Sequence, residues 1–139
     1  ALVKAGIKAP IRINLREEIW IKLIGNLAFN PLSVITGKTL DILASENEYR
    51  TIAYDAMEEA SLIINQLGIK LKISIDQRIE GAAKVGAHKT SMLQDYESGK
   101  ELELDALVVA VKEIGDLFGI KTPTIDKILY EVKERISQN

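Results

Sequence analysis

The chain has 139 residues, with 18 basic and 20 acidic side chains, one histidine and no cysteine. That length suits a single domain with its own core, and a net charge of −2 gives no electrostatic footprint for nucleic acid or an anionic membrane. Without cysteine neither a disulfide nor a thiolate metal site can form, and His88 alone cannot make a His-pair motif, so no metal is expected.

The first stretch, ALVKAGIKAPIRI at 1–13, reads as the end of an interdomain linker or strand of a longer protein, and a helical domain is expected over 14–139. No signal-peptide pattern opens the chain, and no apolar run reaches the roughly eighteen residues of a membrane span. The expected location is cytoplasmic, with no membrane partner.

Several helix starts carry the capping-box spacing, in which a small polar side chain and a Glu or Gln three residues on satisfy each other's free backbone donors. These are Asn14 with Glu17, Ser45 with Glu48, Ser74 with Gln77 and Ser91 with Gln94. Thr122 before Pro123 marks a further start, because proline is tolerated at the first helical position. Gly37, Gly68 and Gly119 stand where left-handed C-terminal caps would end the preceding helices.

In chain order, the first helical segment is WIKLIGNLAFNPL at 20–32. Lys22, Asn26 and Asn30 are four residues apart, and at about 100° per residue such positions drift only about 40° per step, forming one polar stripe on an otherwise apolar helix. Polar groups aimed at protein carry a desolvation cost, so a partner is expected opposite the stripe. A plain alternative is a solvated lysine with two asparagines that cap neighbouring helices. Partial burial would let Lys22 lose its proton more easily, as a general acid requires. Gly25 allows a ligand or another chain segment to come close, and Pro31 is expected to kink or end the helix.

From 47 to 67, Ile52, Ala53, Ala56, Ala60, Ile63, Ile64 and Leu67 recur at helical spacing and predict an amphipathic surface helix. KLKISID at 70–76 reads as a link between helices. In KTSMLQDYESGKELELD at 89–105, Ser91 is a candidate cap whose hydroxyl and neighbouring N–H groups could hold a carboxylate, and Glu103 lies one turn before an apolar run. That run, ALVVAV, predicts a central helix enclosed by others over about 103–118. A last amphipathic helix follows, with Ile125, Ile128, Leu129, Val132 and Ile136 on its apolar face. His88 reads as exposed, and no Gly-rich phosphate cradle is present. The fold class is all-α, a bundle of six to eight helices.

WIKLIGNLAFNPLSVITG, MEEASLIINQLGI, KTSMLQDYESGKELELDAL and GIKTPTIDKILYEV together resemble the C-terminal domain of ketopantoate reductases, the 2-dehydropantoate 2-reductases. The resemblance implies a helical bundle of the 6-phosphogluconate dehydrogenase C-terminal-domain type, preceded in the whole protein by a Rossmann domain that binds NADPH. It implies Lys22 as the general acid, Glu103 as a catalytic residue that holds the substrate or its hydroxyls, and Asn26, Asn30 and Ser91 as substrate-binding residues. Glu59 matches a position near the pocket. The implied activity is reduction of ketopantoate to pantoate for pantothenate and coenzyme A synthesis, by an enzyme that can form a homodimer and whose isolated C-terminal domain is inactive. One departure is LELDALVV, where the family's asparagine is replaced by Leu107 or Val108. The alternatives are a reductase of another 2-keto acid and a non-catalytic helical dimerisation or interaction module.

Overall fold

The computed structural model describes residues 17–71, 73–100 and 106–137, with side chains from Trp20 onward and, in the last stretch, from Val109 onward. The linker expected at 1–13, the Asn14 cap and the segment 101–105 that carries Glu103 lie outside the described residues. Seven helices are found among those residues: α1 Glu17–Thr36, α2 Leu40–Ser45, α3 Asn47–Gln66, α4 Ile75–Val85, α5 Ser91–Glu97, α6 Ala106–Leu117 and α7 Pro123–Ser137. There is no strand among them, so the fold is all-α as its periodicity predicts, and the stretch after Gly68 links α3 to α4 without forming one.

The organising element is α1, which touches each of the other six helices. Its apolar side chains Ile24, Leu27, Ala28, Phe29 and Leu32 are buried in the same cluster as Ala56, Met57 and Ala60 of α3 and Ile125 and Ile128 of α7. The predicted face of α3 is the one that packs, with Ala53, Ala56, Ala60, Ile63 and Ile64 buried while Glu58, Asn65 and Gln66 stay in solvent. Likewise α7 buries Ile125, Ile128, Leu129 and Val132.

Two expectations about burial are corrected. Among the described residues the apolar run after residue 105 is not an enclosed central helix: α6 packs mainly against α1, α3 and α7, burying Val111 and Gly115 while Val109 and Ala110 face outward. Composition alone could not tell an enclosed helix from one with an uncovered apolar face. Nor does α1 end at Pro31. It continues to Thr36, where Gly37 adopts φ 73° and its N–H returns to the Ser33 carbonyl at 2.7 Å. A proline forfeits one N–H, and here its ring is buried in a helix that packs against six others, contacts that outweigh the roughly 3 kcal/mol propensity cost.

Helix starts follow the expected chemistry with two exceptions. Ser74 and Gln77 form the full box, at 3.1 Å and 2.8 Å. Gly68 and Gly119 are left-handed as predicted, at φ 83° and 71°. Ser45 is not a cap, because it is the last residue of α2 and Glu46 precedes α3 with no side-chain bond. Ser91 is not a cap either: Thr90 takes that place, accepting the Leu93 N–H at 3.1 Å, and Ser91 is the first helical residue. Adjacent hydroxyls made the two registers equivalent in sequence. Burial separates them, since Thr90 is buried and Ser91 exposed.

At α7, all the first donors are accounted for. Pro123 has no N–H, Thr124 and Ile125 donate to Oε2 and Oε1 of Glu59 at 2.9 Å each, and Asp126 donates to the Thr122 carbonyl at 2.8 Å. Glu59, which the resemblance places near the pocket, is thus engaged in capping a helix from across the bundle.

Candidate functional site

The polar stripe of α1 exists as a surface. Lys22 is exposed, Asn26 and Asn30 are half-buried, and the positions between them, Leu23, Ile24, Leu27, Ala28 and Phe29, are buried or half-buried in the core. The expected partial burial of Lys22 is not found in this chain. Nor do the asparagines cap neighbouring helices, since neither side chain bonds to any described residue. Successive members of the stripe stand about 6 Å apart along the axis.

Ser33 extends the line. Eleven residues beyond Lys22, it projects at about 20° from it on an ideal helix, inside the arc that the stripe covers. Its hydroxyl donates to the Asn30 carbonyl at 2.7 Å and meets the Thr90 hydroxyl at 2.6 Å, both groups being buried. One proton arrangement satisfies every group: Leu93 N–H to Thr90 Oγ1, Thr90 O–H to Ser33 Oγ, Ser33 O–H to the Asn30 carbonyl. This chain seats the start of α5, and with it the exposed Ser91, against the far end of the stripe. Among the described residues, the Ser91 hydroxyl is unbonded and the Leu93 donor is spent on Thr90. The structure therefore brings Asn30 and the Ser91 backbone to one neighbourhood, with Lys22 and Asn26 up the same face. Glu103 lies outside the described residues.

The near end of the stripe is held from another side. Arg78 of α4 donates through Nε to the Ile21 carbonyl at 3.2 Å, and its guanidinium occupies the space beside Gly25. A Cβ at Gly25 would fall among Nη2, Cζ and Nε of Arg78. The close approach foreseen at Gly25 is thus made by a side chain of the same domain. Burial pushes the Arg78 guanidinium below its usual pKa, although it stays charged at any ordinary pH. Sequence reading missed both Ser33 and Arg78. Ser33 could have been found by extending the four-residue spacing to its i+3 neighbour, whereas Arg78 sits 53 positions beyond Gly25 and gives no local sign.

The deeper depressions of the surface are elsewhere. One of about 500 Å³ is lined by Asn65, Gly68, Lys70 and Ser74, another of about 390 Å³ by Asp116, Lys121 and Asp126. A third, about 290 Å³, lies between Leu32, Asp55, Lys127 and Glu131. None of these three is bordered by Lys22, Asn26, Asn30 or Ser91, and among the described residues the stripe is an open surface. Without a strand among the described residues there is no strand, glycine loop and helix N-terminus to hold a dinucleotide pyrophosphate. Nor does any group of three or more His, Asp or Glu among them suit a metal ion.

Comparison with known proteins defines first a class and then a family. The bundle superposes on a PanE/ApbA family ketopantoate reductase from Ralstonia eutropha JMP134 with a TM-score of 0.79 at 29% identity, over 90% of this chain and 42% of that one. It shares its fold with D-mandelate dehydrogenase, at a TM-score of 0.78 and 20% identity, over 90% of this chain and 42% of that one. In both cases the match takes in less than half of the larger protein. Residues 14–136 match the family model described as ketopantoate reductase PanE/ApbA C terminal. The chain is 51% identical over 132 residues to a 2-dehydropantoate 2-reductase of Mesorhizobium japonicum (strain LMG 29417 / CECT 9101 / MAFF 303099), covering 95% of this chain and 40% of the relative. The chain belongs to the ketopantoate reductase family and corresponds to its C-terminal part. It spans well under half the length of the relatives it matches.

Proposed function

We propose that this chain is the substrate-binding and acid-donating half of an NADPH-dependent 2-dehydropantoate 2-reductase, acting in the cytoplasm on the route to pantothenate and coenzyme A. The observation that carries the reading is the open polar stripe on α1: a lysine and two carboxamides aligned on the central helix, with Ser91 docked at one end by the Ser33 and Thr90 hydroxyls. A ligand resting on that wall gives the stripe the partner that it lacks among the described residues.

In this reading an N-terminal Rossmann domain of the same protein supplies the opposite wall and holds NADPH, which delivers hydride to the keto carbon. Lys22 donates a proton from Nζ to the keto oxygen as negative charge builds there. Its exposure in this half fits that role, because an amine at the mouth of a cleft becomes desolvated only when the second wall closes. Asn26 and Asn30 offer both donors and acceptors, which suit a substrate that carries a carboxylate and a hydroxyl. Ser91 contributes a free hydroxyl. Glu103 binds the substrate's hydroxyl groups, as the family resemblance implies. The uncovered apolar side of α6 offers a surface through which a homodimer could bury area.

A second reading, a reductase of another 2-keto acid, is favoured by one feature: Leu107 or Val108 stands where the family carries an asparagine. A panel of 2-keto acids assayed with the full-length protein and NADPH separates the readings. The proposal expects the highest kcat/KM for 2-dehydropantoate. A better 2-keto acid would shift it to the second reading, and no turnover of any would favour a helical interaction module. The isolated domain should turn over nothing.

A further inference from the structure

The helix that carries the stripe is intrinsically soft where precision is needed. Gly25 costs about 1 kcal/mol of helix propensity one residue before Asn26, and Pro31 removes a backbone bond one residue after Asn30. The far end is pinned by the Ser33 and Thr90 hydroxyls. At the near end, the fixing contact is the Arg78 Nε bond to the carbonyl of Ile21, the residue before Lys22, with the guanidinium filling the space that Gly25 leaves vacant.

Retention of a guanidinium here needs a reason. Arg78 lines an apolar crevice with Ile21, Ile24 and Met57, and no carboxylate among the described side chains lies within ion-pair distance of it. A methionine would fill such a crevice without the cost of desolvating a charge. A rigid planar fork does what methionine cannot, since it donates to a main-chain carbonyl and fills the space beside a glycine at the same time.

Resting on the proposed function, we infer that Arg78 is a positioning residue for the reaction: it acts through Gly25 and the Ile21 carbonyl to fix the turn that carries Lys22 and Asn26. Gly25 and Arg78 form one matched device, because any side chain at 25 evicts the guanidinium. A displacement of about 1 Å in a reacting group can lower turnover by about a hundredfold, so a loosened turn should appear in kcat.

The test uses the full-length enzyme, with each variant assayed well below its own melting temperature. Arg78→Met should lower kcat about ten- to a hundredfold with KM within about threefold, and Arg78→Lys, which keeps a cationic donor but not the planar group beside Gly25, should recover only part of the loss. Gly25→Ala should reproduce the Arg78→Met defect, and the double variant should be no worse than either alone, since both remove the same contact. Should Arg78→Met not fold, Arg78→Gln, uncharged and too short to reach Ile21, takes its place. Variants that lose thermal stability but keep kcat, or defects that multiply in the double variant, would overturn the inference. Lys22→Met is the separate control: if it leaves kcat unchanged, Lys22 is not the proton donor that the proposed function names, whereas its collapse beside a normal Arg78→Met sinks only the positioning role.

Discussion

The hydroxyl of Thr90 reaches that of Ser33 across 2.6 Å inside the protein, joining the start of α5 to the C-terminal third of α1. The bond is one link of three in a row, and each link fixes the direction of the next: the Leu93 N–H occupies Thr90 as acceptor, leaving Thr90 to donate to Ser33, which in turn donates to the Asn30 carbonyl. Ser33→Ala removes two of the three links and leaves the buried Thr90 hydroxyl proton with no acceptor. The expected loss is about 1–3 kcal/mol of stability. Thr90→Val adds the loss of a helix cap, typically about 1 kcal/mol more. Urea unfolding followed by the fluorescence of Trp20, the sole tryptophan of the chain, measures both. The double variant should lose less than the sum, because the two single changes break one shared bond.

Glu59 offers a second test of packing chemistry. Both its oxygens accept N–H groups at the start of α7, a distance of 65 and 66 residues along the chain. Glu59→Ala leaves two first-turn donors without partners and removes a negative charge from the positive end of the helix, at an expected cost of about 1–3 kcal/mol. Glu59→Gln keeps one acceptor and turns a donor toward the other N–H, so its loss should fall between wild type and alanine. Denaturation midpoints in the order wild type, Gln, Ala would support the account; equal midpoints for Gln and wild type would show that only one of the two bonds matters.

Glycine substitutions should divide by sign. Gly81 lies on the exposed face of α4, with open space where a Cβ would go and no positive φ, so Gly81→Ala should stabilise by about 0.5–1 kcal/mol. Gly115 is the counterpart in α6, where a Cβ would stand 2.8 Å from Ile63 Cδ1 and 3.4 Å from the Ile120 carbonyl. Ile63 is fully buried and cannot step aside, so Gly115→Ala should destabilise by about 1–3 kcal/mol despite the same gain in propensity. Thermal melting of the two variants should move in opposite directions.

What was legible in the sequence was what short-range chemistry encodes. The face of α3, the box at Ser74 and Gln77, the turn at Gly68 and the start at Pro123 depend on residues within a turn or two of one another, and the structure has them as read. The errors came where long-range contacts decide. Pro31 stays helical because the six helices packed against α1 hold it, Thr90 displaces Ser91 as a cap because Ser33 lies opposite, and α6 is peripheral because α1 occupies the centre. At the site, spacing alone put Lys22, Asn26 and Asn30 on one face, but the clamps at its two ends pair residues 57 positions apart, which no local pattern can report.

The stripe itself makes a kinetic prediction that depends on where each member stands. Lys22 is the exposed member and the proposed proton donor, so Lys22→Met in the full-length enzyme should lower kcat by roughly 10²–10⁴-fold with little change in stability, since its side chain is exposed among the described residues. Asn30 is half-buried and its backbone anchors Ser33, so Asn30→Ala, which leaves that carbonyl in place, should act mainly through KM. Steady-state kinetics on the two variants then separates proton donation from binding. If Lys22→Met instead raised KM while sparing kcat, the amine would be a binding group shared by ground and transition states, and the proton would have to come from another residue of the cleft.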